Sequence, residues 1–116
     1  MNTKEIKAYV RVNEVQIIVS TLEGAGFCCI TIIDVSGLGN LADPYGAKYS
    51  MEFIEKYSKM ARIELMCRNE NEDTIVHIIQ RKGCTHQSGD GIIFVLPVDR
   101  AMKIKTAEEG DQILQT

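Results

Sequence analysis

The sequence predicts an α+β protein in which two helices cover one face of a four-stranded antiparallel sheet. The first observation is the order of hydrophobic periodicities along the chain, which reads β-α-β, a long loop, and β-α-β again. The second is the length of 116 residues, with 45% hydrophobic and 25% charged side chains, which predicts a single globular domain over residues 1–116. A chain of this length can bury a core without disulfide or metal staples.

The first β-α-β unit opens the chain. Residues 6–13 alternate apolar and polar side chains, which predicts the first strand. Asn13 and Gln16 stand at the spacing of a capping box, so we expect Asn13 to cap a helix over residues 14–24. The apolar, β-branched run 27–35 predicts a buried second strand.

A long segment without a clear period separates the two units. Residues 36–49 contain three glycines and Pro44, and residues 50–58 could form a turn or two of helix. A connection of about 20 residues is out of scale in so small a domain, and such loops are usually functional. We therefore expect this loop to carry part of the function.

The second unit repeats the rhythm of the first. Residues 60–68 alternate and predict the third strand. Asn69 and Glu72 again have capping-box spacing, and they precede a helical stripe of isoleucines that ends at Gly83. Residues 85–91 are rich in turn formers and predict a loop.

The chain then predicts two further strands. The continuous apolar run 92–98 predicts a central strand, and a short last strand is expected at 103–106. The resulting order is the split βαβ arrangement of ferredoxin-like domains, a βαββαβ sandwich. Runs 27–35 and 92–98 are apolar on both faces of the sheet, so a partner subunit is expected to cover the face that the helices leave open.

Charge and hydropathy exclude several classes of protein. Thirteen Lys and Arg against 16 Asp and Glu give a net charge of −3, which argues against a nucleic-acid binder with a basic face. No apolar run approaches the roughly 18 residues of a membrane span, so membrane insertion is not expected. The N-terminus lacks the apolar core of a signal peptide, which predicts a cytoplasmic protein.

The sequence contains no pattern that indicates catalysis. It contains no G-x-S-x-G, H-E-x-x-H or phosphate-loop motif. His77 falls on a predicted helix with no obvious nucleophile near it in the sequence. His86 falls in a predicted loop beside Thr85 and Ser88, where it could contact a ligand. We therefore predict that the chain is not an enzyme.

Four cysteines are present, and none forms a C-x-x-C pair. A cytoplasmic protein keeps such thiols reduced, and we expect core or half-buried side chains rather than metal ligands. Adjacent Cys28 and Cys29 should point to opposite faces of an extended segment. A metal or redox role for Cys28, Cys67 or Cys84 is the alternative.

Two short segments could bind phosphate. In Gly89-Asp90-Gly91 the glycines allow backbone N–H groups to face an anion. Lys103 and Lys105 would share one face of an extended segment and could hold one polyphosphate. The alternatives are an ordinary turn and two solvated lysines on an edge strand.

Three segments together resemble the P-II family of trimeric signal-transduction proteins. They are IKAYVRV, EGAGFCCITIIDVSGLG and GDGIIFVLPVDRAMKIKTAEEG, and the resemblance extends over about residues 6–114. It implies a homotrimer with adenine-nucleotide sites between subunits, lined by the family's T-, B- and C-loops. Here the T-loop corresponds to residues 37–58, the B-loop to residues 85–91 and the C-loop to residues 103–106.

The resemblance also implies roles for individual residues. The T-loop would contact a partner enzyme, transporter or shell protein, and no residue is assigned as a metal ligand. The implied partner-binding residues are Leu41, Pro44, Tyr45, Tyr49 and Phe53. The implied nucleotide-binding residues are Thr31, Gly37, Thr85, Gly89, Asp90, Gly91, Lys103, Lys105 and Thr106.

Departures from the family pattern fall on ligand contacts. Lysines replace the C-loop arginines, and Ile92 replaces a phosphate-binding lysine, so ATP, ADP or AMP should bind at a weakened site. Leu41 and Met60 replace the glutamine and lysine that serve magnesium and 2-oxoglutarate, so neither ligand is expected. Without gaps Phe53 takes the place of the family's modifiable tyrosine, which argues against modification of Tyr49.

The function that follows is a divergent P-II-like regulator that controls a partner through its T-loop. Its cysteine-rich pattern resembles the members associated with bacterial microcompartments. Two alternatives belong to other classes of protein. One is a structural or assembly trimer without ligand sensing, and the other is a small metal-binding or redox trimer that uses its cysteines.

Overall fold

The structure is a computed structural model that describes residues 1–35 and 60–114. The expectations for Gly37, Leu41, Pro44, Tyr45, Tyr49 and Phe53 lie outside the described residues. The strands are β1 (Thr3–Arg11), β2 (Thr31–Asp34), β3 (Met60–Arg68) and β4 (Ile92–Pro97). The helices are α1 (Val12–Gly24) and α2 (Glu72–Gly83), with short 3₁₀ turns at Asn69–Asn71 and Asp111–Ile113.

The four described strands form one sheet in the order β2-β3-β1-β4, and every neighbouring pair is antiparallel. Tyr9 of β1 lies opposite both Arg62 of β3 and Ile92 of β4, which fixes the register of the centre of the sheet. This arrangement confirms the predicted ferredoxin-like fold. Among the described residues, no helix is long and apolar enough to cross a membrane.

The core lies between the two central strands and the two helices. Alternate residues of β1 and β3 are buried, because successive side chains of a strand point to opposite faces. Each fully buried isoleucine or leucine contributes roughly 1.5–3 kcal/mol to folding. The residues that form this core include Ile6, Ala8, Val10, Ile18, Leu22, Ile63, Leu65, Cys67, Ile75 and Ile79.

Both predicted capping boxes were wrong. Helix α1 begins at Val12, and Asn13 lies inside its first turn. The reason is that Arg11 still pairs with Met60 in the sheet, so the strand passes into the helix without a linker that Asn13 could cap. At α2 the 3₁₀ turn Asn69–Asn71 precedes the helix, and no side chain caps it.

Strand β2 is shorter than the predicted strand 27–35. The amide of Phe27 donates to the carbonyl of Leu22 at 3.0 Å, so Phe27 still belongs to the end of α1. Cys29 then has a φ of 64°, which interrupts an extended backbone. The strand can begin only after this turn, at Thr31.

The last part of the chain also differs from the expectation. Residues 103–106 form a turn and not a strand, because the amide of Ala107 donates to the carbonyl of Lys103 at 2.8 Å. Met102 and Glu109 pair across this turn in an isolated bridge. Lys103 and Lys105 were predicted to share one face of an extended segment, and the turn replaces that extended backbone.

The two most apolar strands lie at the edges of the sheet. Strand β4 was predicted to be central, but it pairs only with β1 among the described strands, and its Ile92, Phe94 and Leu96 side chains are exposed. Ile32 of β2 is exposed at the opposite edge. An apolar run usually indicates a central strand, because the protein covers both faces of such a strand. In β2 and β4, a single chain leaves apolar side chains exposed to solvent. The pattern fits the partner subunit expected from the sequence.

We predict that the chain assembles as a homotrimer. The exposed apolar side chains of β2 and β4 would then be covered by the two other copies, as the family resemblance implies. Light scattering should give a mass near three times 13.0 kDa. A stable monomer at micromolar concentration would contradict this architecture.

Candidate functional site

The B-loop, Thr85–Gly91, connects α2 to β4 and is braced through the carboxylate of Asp90. This carboxylate accepts a hydrogen bond from the Thr85 amide at 2.8 Å and another from the Thr85 hydroxyl. The guanidinium of Arg11 donates from Nε to the same carboxylate at 3.0 Å. The two ends of the loop are therefore fastened to each other and to the end of β1.

Arg11 makes a second contact with the loop, which the sequence did not reveal. Its guanidinium donates to the carbonyl of Ser88 at 2.8 Å. The signal that could have found Arg11 is the register of β1 with β4. Tyr9 lies opposite Ile92, and continuing this antiparallel pairing by two residues brings Arg11 beside Asp90.

Two glycines give the B-loop its backbone shape. Gly89 and Gly91 have φ values of 92° and 102°, in a region that favours glycine. A Cβ atom on Gly91 would lie 1.8 Å from the carbonyl oxygen of Tyr9, so the loop packs directly against the backbone of β1. These positive φ values are compatible with the predicted phosphate-binding nest.

The brace changes the acidity of Asp90. Hydrogen bonds from the hydroxyl and amide of Thr85, and then the charge of Arg11, hold the pKa of this carboxyl well below its usual range. A lowered pKa means that the charged form stabilises the folded protein. That contribution is complete above the unfolded pKa of about 3.9 and is lost as the pH falls further toward the folded pKa.

We therefore expect Asp90→Asn to lower stability in a pH-dependent way. The amide cannot accept three hydrogen bonds with the strength of a carboxylate, so the urea midpoint should fall at pH 7. The difference from the wild type should shrink below about pH 4, where the carboxyl of the unfolded chain takes up a proton while that of the folded protein is still charged. Asp99→Asn, at an exposed aspartate, is the matched control. Equal midpoints at pH 7 for Asp90→Asn and the wild type would refute the brace.

The expected nucleotide-binding residues do not all come together in one chain. Thr85, Gly89, Asp90 and Gly91 meet in the B-loop, which precedes β4. The exposed residues Lys103, Lys105 and Thr106 lie in the turn that follows β4. A six-residue strand spans roughly 20 Å, so the two segments are at opposite ends of β4. They could bind one nucleotide only if the second segment came from another subunit.

Thr31 lies on the other edge of the sheet. It is the first residue of β2, is exposed, and pairs with Glu64 of β3. Two strands, β3 and β1, separate β2 from β4. Within one chain, Thr31 therefore lies three strand spacings from β4, roughly 14 Å.

The chain enters and leaves residues 36–59 at the same end of the sheet as the B-loop. Strand β2 ends at Asp34, which pairs with Ala61, and β3 begins at Met60, which pairs with Arg11. The methyl group of Met60 would lie 3.1 Å from a Cβ on Gly91. The position expected to contact 2-oxoglutarate is therefore in contact range of the B-loop.

A cavity of about 340 Å³ lies between α2, β1 and β4 beside the B-loop. Ile79, Ile92 and Ile93 contribute apolar walls, and Gln80 and Asp90 contribute polar groups. None of the described residues that line it is a lysine or an arginine. Arg11 contacts the lining residue Asp90 and is already paired with it.

The cysteines only partly match the expectation. Cys67 is buried and Cys84 is half-buried, but Cys28 and Cys29 are exposed, and their Sγ atoms are 3.0 Å apart. They do not point to opposite faces, because the left-handed backbone at Cys29 replaces the extended one. Within residues 1–35 and 60–114, no cluster of three or more His, Cys, Asp or Glu side chains could hold a metal ion.

Comparison with known proteins agrees with the fold. The model of the family described as "Nitrogen regulatory protein P-II" matches residues 3–108. The chain is 32% identical over 111 residues to "Nitrogen regulatory protein P-II 2" of Methanothermobacter thermautotrophicus, covering 92% of this chain and 93% of that protein. It is 37% identical over 108 residues to "Nitrogen fixation nifHD region GlnB-like protein 1" of Methanothermococcus thermolithotrophicus, covering 92% and 98%.

A solved structure shows the same architecture. The crystal structure of Arabidopsis thaliana PII bound to citrate superposes with a TM-score of 0.74 at 25% identity, covering 96% of this chain and 91% of that one. The members of the family that these comparisons match are regulatory, non-enzymatic signalling proteins. The chain is a member of the P-II family. Proteins of this family are homotrimers that bind adenine nucleotides and 2-oxoglutarate and act on partner proteins.

Proposed function

We propose that the chain is a cytoplasmic, single-domain P-II regulator over residues 1–116 that controls a partner protein through its T-loop. In this proposal it binds an adenine nucleotide with reduced affinity at a site between subunits, and it does not respond to 2-oxoglutarate. The observation that carries the proposal is the set of hydrogen bonds by which Arg11 and Asp90 hold the B-loop. The next residue along the chain is Ile92, at the position where the family resemblance implies a lysine. In this proposal the B-loop has the shape that the family resemblance implies but lacks one of its positive charges.

The B-loop residues have different tasks in this proposal. Gly89 and Gly91 let the backbone amides approach the phosphates, because no Cβ stands in the way. The carboxylate of Asp90 faces Thr85 and Arg11, so it positions the loop rather than contacting a phosphate. Charge repulsion between a carboxylate and a phosphate favours the same division of labour.

The remaining contacts would come from other segments of the trimer. Lys103 and Lys105 are exposed and supply positive charge from a neighbouring subunit, although a lysine lacks the bidentate geometry of an arginine. Thr31, Gly37, Thr85 and Thr106 complete the nucleotide site as the family resemblance implies. No magnesium ligand is proposed.

The T-loop is proposed as the surface that meets the partner. Its two ends emerge beside the B-loop, so a nucleotide there would lie next to the base of the loop. The proposed contacts are Leu41, Pro44, Tyr45, Tyr49 and Phe53, and the partner is an enzyme, a transporter or a microcompartment shell protein. A net charge of −3 does not favour nucleic acid as the partner.

The test is calorimetric titration of the purified protein with ATP, ADP and AMP. Saturable heat with at least one nucleotide supports the proposal. The absence of heat with all three favours the structural or assembly trimer. Metal analysis of the purified protein tests the third class, a metal-binding trimer that uses its cysteines.

We also predict that 2-oxoglutarate does not bind at millimolar concentration, with or without Mg-ATP. Leu41 cannot position a metal and Met60 cannot pair with a carboxylate, and leaving such a charge unpaired costs several kcal/mol. Titration with 2-oxoglutarate in the presence of Mg-ATP measures this. The double variant Leu41→Gln/Met60→Lys serves as the positive comparison and should gain binding. Saturable heat in the wild type would contradict the prediction.

A further inference from the structure

Two adjacent thiols meet at the surface just before β2. The Sγ atoms of Cys28 and Cys29 are 3.0 Å apart, within hydrogen-bond range for sulfur, and both residues are exposed. Neighbouring side chains on an extended backbone would point to opposite faces. The left-handed conformation of Cys29, with a φ of 64°, instead turns both side chains to the same side.

The pair stands in a shallow apolar depression. In the single chain this depression has a volume of about 620 Å³, and Phe27 and Ile30 line it with the two cysteines. Ile32 also lines it, and the predicted trimer would cover that side chain. Glu23 is the one charged side chain among the described residues that line it. The hydrogen bond with the Cys29 thiol, and then burial, raise the pKa of the Cys28 thiol, because both favour its neutral form.

We propose that Cys28 and Cys29 form a thiol–disulfide exchange site that takes a low-molecular-weight disulfide of the glutathione class. The thiolate of one cysteine attacks the small disulfide, forms a mixed disulfide and releases one small thiolate. The second cysteine, as its thiolate, attacks the protein sulfur of this mixed disulfide and releases the other small thiolate. Two electrons pass from the protein thiols to the small disulfide, and the two protons leave on the released thiols.

The geometry makes this bond a reversible one and not a structural staple. Adjacent Cα atoms are about 3.8 Å apart, which is shorter than the roughly 4.4–6.8 Å that disulfides usually span. A disulfide in so small a ring is strained, and strained or exposed disulfides are the easily reduced ones. The proximity of the two thiols favours ring closure over a second mixed disulfide, because the second attack is intramolecular.

The experiment uses the full-length protein in buffers of graded ratios of reduced to oxidised glutathione. After acid quenching and alkylation, intact mass and peptide mapping report each cysteine. The wild type should lose two hydrogens, lose alkylation at Cys28 and Cys29 together, and regain both when reduced glutathione is added. The ratio of closed to open protein should be proportional to the concentration of oxidised glutathione divided by the square of the concentration of reduced glutathione, because closing one ring releases two small thiols.

Two variants and a control separate exchange from nonspecific oxidation. Cys28→Ser and Cys29→Gly should each stop at a single mixed disulfide, and glycine suits the left-handed conformation at position 29, so that variant keeps its fold. Cys84→Ser should leave the closing ratio unchanged. Persistent mixed disulfides on the wild type, a disulfide that links chains, or no reaction at either cysteine would each overturn the proposal.

Discussion

Gly91→Ala is expected to destabilise the protein by roughly 2–4 kcal/mol, because it combines a strained backbone with a collision. The φ of Gly91 is 102°, which residues with a side chain rarely adopt. The new Cβ would also stand 1.8 Å from the carbonyl oxygen of Tyr9. This atom belongs to the backbone of a central strand, so it cannot move without disturbing the pairing of β1 with β4.

Urea denaturation measures the effect, and Gly24→Ala is the matched control. Gly24 is the last residue of α1, and a Cβ there meets nothing within 4 Å. Alanine at this position should be neutral or stabilising by about 0.4–1 kcal/mol, through the lower entropy of the unfolded chain. Gly91→Ala should also lose any nucleotide binding that the wild type shows. A wild-type urea midpoint in Gly91→Ala would mean that the B-loop does not pack on β1 as described.

The central elements of the fold could be predicted because their periodicity reports burial directly. Strand β3 has the predicted bounds 60–68, and its alternation matches the buried face of Ala61, Ile63, Leu65 and Cys67. The end of α2 at Gly83 was also predicted. In these segments one face packs against the core and the other faces away from it. The burial of one face therefore determines the hydrophobic periodicity from which the element was predicted.

The edges of the sheet could not be predicted in this way. The run 92–98 is apolar on both faces, which indicates that both faces of the strand are buried. The pattern does not say whether the same chain or another subunit buries them. It was assigned to the centre, although β4 lies at the edge. The capping residues failed for a different reason, since Arg11 belongs to β1 and to the start of α1 at once and leaves no separate cap.

The candidate site was predicted only as far as its local sequence. Gly89 and Gly91 were identified because glycine has a distinct conformational range, and both have positive φ. Arg11 was missed because it lies 79 residues from Asp90, and only the strand register brings the two together. Lys103 and Lys105 were placed on one face because the turn closed by Ala107 leaves no mark in the hydrophobic pattern.

Ile92→Lys should raise the affinity for ATP by roughly ten- to a hundred-fold. Ile92 directly follows the B-loop, is the first residue of β4, and is 54% exposed, so a longer polar side chain there meets no core. A charge-assisted contact between a lysine and a phosphate contributes roughly 1.5–3 kcal/mol. About 1.4 kcal/mol corresponds to a factor of ten in the dissociation constant. ADP and AMP carry fewer charges, so their affinities should rise less than that of ATP.

Calorimetry on the wild type, Ile92→Lys and Ile92→Gln separates the charge from the size of the side chain. Glutamine has a similar reach but no charge, so it should leave the ATP affinity close to that of the wild type. The gain in Ile92→Lys should also shrink as the salt concentration rises, because a partly exposed charge pair is screened. A wild type that already binds ATP at low micromolar concentration would contradict the weakened site. An equal gain for AMP and ATP would place the new ammonium away from the terminal phosphates, and the B-loop would then bind the nucleotide in another orientation.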